Sequence, residues 1–96
     1  MQNDDFEWDD AKAASNIHDH GVSFDVARFA FNDIFAFDRV DRREKYGEDR
    51  YALVGMAKEC LLFVAYTFRE GRIRIISARP ASPFERRLYH EHNARK

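Results

Sequence analysis

Apolar and polar positions along the chain change period several times, and each change marks an element. Phe6 and Trp8 alternate with acids, which predicts a short first strand. Asp9 or Asp10 can cap a helix that runs to about His20, and Gly21 fits its left-handed C-terminal position. Ser23 can cap a second helix, FDVARFAF, in which Phe24, Ala27 and Phe31 share one face before Asn32 and Asp33 end it. The period then falls to two. IFAFDRV alternates as a strand, and residues 41–49, DRREKYGED, form a charged loop around Gly47. RYALVGM is the next strand, closed by a Lys58-Glu59 turn. CLLFVAYTF is apolar on both faces, so it belongs near the centre of a sheet. A tight turn through Glu70-Gly71 leads into RIRIISA. Ser82-Pro83-Phe84-Glu85 then has the form of a capping box with proline at the first helical position, followed by an apolar stripe of Phe84 and Leu88. The sum is a small single α+β domain over residues 1–96. Its sheet is mainly antiparallel with four to five strands, two helices precede it and one C-terminal helix follows.

Composition agrees with a packed domain. The 96 residues are 45% hydrophobic and include nine phenylalanines, enough for a real core. No apolar run approaches the ~20 residues that cross a membrane. The acidic start, MQNDDFEWDD, does not have the form of a secretory signal, so a cytoplasmic protein is expected. Cys60 is the single cysteine and is expected to be a buried, inert thiol.

Charge changes the picture more. The formal net charge is only −1, but it is polarised along the chain. Residues 1–25 carry seven acids against Lys12, whereas residues 69–96 carry eight bases against Glu70, Glu85 and Glu91. Within RIRIISAR, strict alternation places Ile73, Ile75, Ser77 and Arg79 on one face and Arg72, Arg74, Ile76 and Ala78 on the other. The isoleucine side reads as the core side. Arg72 and Arg74 then lie on the open face, Arg69 lies across the hairpin, and Arg79 sits where the strand leaves the sheet. Planar guanidiniums on a rigid sheet suit phosphate, each making two parallel hydrogen bonds. The plainer reading pairs these arginines with Glu44, Glu48, Glu59 or Glu70, and the two readings weigh equally on these facts.

Cleaving RNA without a metal needs a base near the 2′-hydroxyl, cations for the charge developing on phosphorus, and an acid for the departing 5′-oxygen. His20 ends the first helix with a ring suited to proton transfer, Lys12 is the one base in an acidic segment, and Tyr89 projects from the last helix. Each also has a structural reading. The pairs His18/His20 and His90/His92 are two residues apart and do not face one another on a helix, so no metal clamp is expected and no cofactor either. There is no glycine-rich phosphate loop and no G-x-S-x-G turn.

Several ordered segments resemble the BrnT family, the toxin half of a bacterial type II toxin–antitoxin pair. They are F-E-W-D-x-x-K-A at 6–13, N-x-x-x-H-G-V-S-F at 16–24, F-x-D at 31–33, G-E-x-R at 47–50, Y-T-x-R at 66–69 and R-I-I-S-A-R at 74–79, followed by Glu85 and Tyr89. The resemblance implies a RelE-like ribonuclease that cuts RNA without metal and arrests translation. It also implies a BrnA-like antitoxin with a ribbon-helix-helix DNA-binding part, a tetramer of two copies each, and promoter DNA bound only through the antitoxin. Carried onto this chain, the candidate site comprises Lys12, His20, Arg50, Arg69, Arg74, Arg79 and Tyr89. Arg50, Arg72, Arg74 and Arg79 are expected to bind RNA phosphate, with Arg69 and Arg79 stabilising the transition state. His20 is expected as general base or acid, assisted by Lys12 and Tyr89. Asp19 and Pro80 stand where the family usually carries positive charge, which weakens the expected RNA face. The rival reading is a catalytically degenerate module that only holds an acidic partner.

Overall fold

The structure, a computed structural model, describes residues 1–41 and 47–94. Most of the charged loop expected at 41–49, and with it Glu44, lies outside the described residues. The elements are β1 (Phe6–Glu7), α1 (Asp10–His20), α2 (Phe24–Ala27), a 3-10 helix (Arg28–Asn32), β2 (Phe37–Val40), β3 (Tyr51–Ala57), β4 (Cys60–Arg69), β5 (Arg72–Pro80) and α3 (Pro83–Ala94). The five strands form one sheet in the order β1-β5-β4-β3-β2. Strands β2 to β5 are the expected antiparallel meander, and β1 adds a short parallel pair against β5. The α+β class is as the sequence indicated. No helix among the described residues is long and apolar enough to cross a membrane.

Local chemistry explains the helix ends. The Asp9 side chain accepts from Lys12 N–H, and Gly21 closes α1 at φ 69°. Ser23 Oγ accepts from Val26 N–H at the start of α2. The second helix is α-helical only to Ala27 and continues as tighter 3-10 winding, as helix ends often do. That winding sets it close over β3. A Cβ on Gly55 would lie 2.8 Å from the Ala30 carbonyl oxygen and 2.9 Å from Ala36 Cβ, so only glycine fits beneath it. IFAFDRV begins as a turn rather than a strand. Asp33 captures Phe35 N–H at 2.9 Å, and β2 starts only at Phe37.

Both faces of the sheet are used. On one, α1, α2 and the 3-10 helix cover Leu53, Leu62, Val64, Tyr66, Ile75 and Ala78, with Trp8 edge-on to Phe24 at 5.9 Å. On the other, α3 covers Ala52, Val54, Leu61 and Phe63 with Tyr89. The stripe that α3 buries runs through Glu85 and Tyr89. Phe84, expected in it, is 56% exposed. Cys60 is exposed as well, because it opens β4 at the end of the sheet, opposite Ala57.

One irregularity changes the reading of β5. Ala65 pairs with Ser77, but the next residue, Tyr66, pairs with Ile75, which leaves Ile76 as an extra residue in the strand. Alternation restarts after it. Ile73 and Ile75 face the helical layer, and so does Ala78, while Arg79 pairs with Phe63 and faces the α3 side. The sequence placed Arg79 with the isoleucines and Ala78 opposite; the bulge exchanges them.

Candidate active site

Because of the bulge, Arg72, Arg74 and Arg79 all lie on the α3 side of β5, with Arg69 directly opposite Arg72 on β4. Each has a carboxylate neighbour. Arg69 lies 3.4 Å from Glu48, and Arg72 lies 3.9 Å from Glu70 while its Nε donates to the Asn3 carbonyl. Arg74 meets Glu7 at 2.7 Å, a pair created by the parallel register of β1, in which Glu7 lies beside Arg74. Glu48 and Glu70 were among the partners the sequence offered. Glu7 and Glu85 become partners only through the docking of β1 and α3.

Arg79 has the most structured surroundings. Its Nη1 and Nη2 donate to the two oxygens of Glu85, both at 2.8 Å, and its guanidinium lies 4.2 Å from the centre of the Phe63 ring. Glu85 is 8% exposed, at the third position of α3, and accepts Ser82 N–H at 2.8 Å while Ser82 Oγ accepts Glu85 N–H. Burial pushes the Glu85 carboxyl up. The Arg79 and Ser82 hydrogen bonds outweigh that and hold it below the ordinary 4.5. Arg79 and Glu85 line a cavity of about 440 Å³ with Arg39, Val40, Asp41, Ala52 and Phe63. That volume falls within the usual range of small-molecule sites.

The other candidates are distributed more widely. Tyr89 is buried, and its hydroxyl donates to Asp33 Oδ2 at 2.7 Å. Met56 N–H donates to the same oxygen at 2.7 Å. Burial and then the Asp33 carboxylate push the Tyr89 hydroxyl up to about 12. Arg50 precedes β3, and its carbonyl accepts Asp41 N–H at 2.7 Å. Lys12 is exposed on α1. His20 lines a separate groove of about 350 Å³ on the helical side, with Ile17, Val22, Cys60, Leu62 and Pro80. Arg79 and Pro80, consecutive residues of β5, thus line different hollows at the strand's end. The structure brings Arg69, Arg72, Arg74 and Arg79 onto one face, and places His20 and Lys12 on α1, in the opposite layer.

Sequence reasoning missed Arg39, Phe63 and Glu85 as neighbours of Arg79. It also missed Asn16, which is 6% exposed and clasps the backbone of Ala78, with Nδ2 2.7 Å from the carbonyl and Oδ1 3.1 Å from the N–H. The capping-box spacing and the resemblance both pointed to Glu85, but neither made it the partner of Arg79. Among the described residues no group of three or more His, Cys, Asp or Glu side chains is placed to hold a metal. Comparison with curated proteins finds no match. A family model, described as a ribonuclease toxin, BrnT, of a type II toxin–antitoxin system, matches residues 8–85, a span that holds α1, the whole meander and the Arg79–Glu85 pair, and the chain belongs to that family.

Proposed function

We propose that this ribonuclease toxin is a metal-independent endoribonuclease of the cytoplasm that arrests translation. Membership of a type II family implies an antitoxin partner. In our reading that partner is BrnA-like, joins the toxin in a complex of two copies each, and alone contacts promoter DNA. The observation that carries the reading is the row of arginines on one sheet face, ending at the cavity beside Arg79. Guanidiniums held there favour the extra negative charge on phosphorus as the 2′-oxygen attacks. The 2′-O–P bond forms and the P–O5′ bond breaks, giving a 2′,3′-cyclic phosphate and a 5′-hydroxyl. One proton leaves the 2′-hydroxyl and another reaches the departing oxygen. His20 is assigned that proton transfer, with Lys12 assisting and Arg50 supporting phosphate binding, while Tyr89, its hydroxyl donated to Asp33, supports the frame of the site. An RNA strand crossing the end of β5 would pass both Arg79 and the groove of His20.

Growth after induced expression of the chain, beside Arg79→Ala, with total RNA on a gel, tests this. Arrest with RNA decay is expected for the parent, and soluble, folded but harmless protein for the variant. Undiminished RNA decay with Arg79→Ala would sink the assignment. A second reading has its own support. All four arginines already lie beside carboxylates, so the same face is suited to acidic side chains. A degenerate module holding an acidic antitoxin segment would bind its partner tightly and leave RNA intact.

A further inference from the structure

A guanidinium has two edges that each match a pair of oxygens: an end-on edge, Nη1 with Nη2, and a side-on edge, Nε with Nη2. In Arg79, Glu85 takes the end-on edge through two bonds of 2.8 Å. Nη1 also donates to the Pro80 carbonyl at 3.2 Å. Among the described residues Nε has no hydrogen-bond partner, and the second N–H of Nη2 has none either. The Phe63 ring supports the group 4.2 Å away. Arg79 is therefore held along its end and against a ring, while its side-on edge is unspent in the lining of the 440 Å³ cavity that also contains Arg39.

We propose that Glu85 is a positioning residue, fixing Arg79 so that its side-on edge forms a two-pronged clamp for one phosphodiester of RNA, with Arg39 as the second cation of this phosphate subsite. The inference rests on the ribonuclease reading above. Glu85 is itself fixed from behind. Ser82 N–H holds Oε1 at 2.8 Å, and the side chain is 8% exposed. Phosphate therefore does not need to displace Glu85; the carboxylate is the anchored end of the clamp. An ion pair that merely tied β5 to α3 would affect stability without altering how the folded protein handles RNA.

Glu85→Gln separates the two roles. Glutamine completes a capping box as well as glutamate does and still offers Oε1 to Ser82, but its amide nitrogen cannot accept from Nη2. Arg79→Lys keeps the charge and removes both edges. The measurements are thermal unfolding, kcat and KM on an RNA oligonucleotide, and fluorescence anisotropy with the same oligonucleotide 2′-O-methylated, which lacks the nucleophile. Glu85→Gln is expected to unfold within a few degrees of the parent, to bind the methylated RNA about 10-fold more weakly, and to lose both kcat and KM performance. Arg79→Lys should show the same losses with Glu85 intact. Parent-like kinetics and binding in Glu85→Gln would overturn the inference, and so would a loss confined to melting temperature. If the parent binds methylated RNA but cuts none, the ribonuclease reading fails, and the binding comparison alone still decides on the clamp. If the parent neither binds nor cuts, both fall.

Discussion

Asn16 completes a sheet edge that β1 is too short to cover. β1 reaches only Glu7, beside Arg74, and further along β5 the buried backbone of Ala78 is met by the Asn16 amide, which donates and accepts as a neighbouring peptide would. Asn16→Ala leaves a buried N–H and a buried carbonyl unpaired, and is expected to cost roughly 3 kcal/mol in urea unfolding. An unchanged midpoint would mean that water serves the edge equally well. Tyr89 poses a related question, since the sequence made it a candidate for proton transfer. Its hydroxyl is already committed to Asp33, which also holds Met56 N–H. Tyr89→Phe is expected to cost about 1 kcal/mol while the folded protein keeps its cleavage rate. A large fall in kcat at unchanged stability would restore Tyr89 to the chemistry. Neither partnership was legible beforehand. Asn16 and Ala78 are 62 residues apart, and Tyr89 and Asp33 are 56 apart. Such pairings depend on how elements dock, which local periodicity does not encode.

Elements with strong local rules were read well. The caps at Asp9, Ser23 and Ser82 sit where their side-chain chemistry puts them, Gly21 takes the left-handed position that the lack of a side chain allows, and the hairpin at Glu70-Gly71 takes positive φ at both central residues, 51° and 80°. Elements shaped by neighbours were not. β2 starts late because Asp33 captures the preceding turn, and β5 carries an extra residue that period-two counting cannot detect. The capping box of α3 has a further property, because its glutamate is also the partner of Arg79. The folded-state carboxyl of Glu85 is held below its ordinary value of 4.5, so its contribution is complete above about that pH and is lost as pH falls through the lower folded value. The parent's melting temperature is expected to fall on acidification below about pH 4.5, with a smaller slope in Glu85→Gln, where the group no longer titrates. Superimposable acid limbs would remove Glu85 from the account.

At the scale of the molecule, the sequence disclosed the arginines and the sheet that carries them, but not which side of it they share. Glu7 and Glu85 meet Arg74 and Arg79 through long-range docking, so the mixture of opposite charges on this face emerges only on folding. The family match implies an antitoxin partner for this toxin, and our proposal assigns this mixed-charge face to the RNA. The bulge at Ile76 has a consequence for protein engineering and for aligning relatives. Two residues follow it before Arg79, and because the bulge absorbs the extra position all three take the faces that a regular strand one residue shorter would give them. Deleting Ile76 would trim the strand without turning it over. It would bring chain counting back into step with the ladder and leave Ala78 and Arg79 on the faces they hold now, whereas keeping Ile76 and pairing it regularly would turn Arg79 toward the layer under α1 and place a cation where the Ala78 methyl group now packs. A relative one residue shorter at this point can therefore present the same faces, and its gap belongs at the bulge, so length here carries as much information as residue identity.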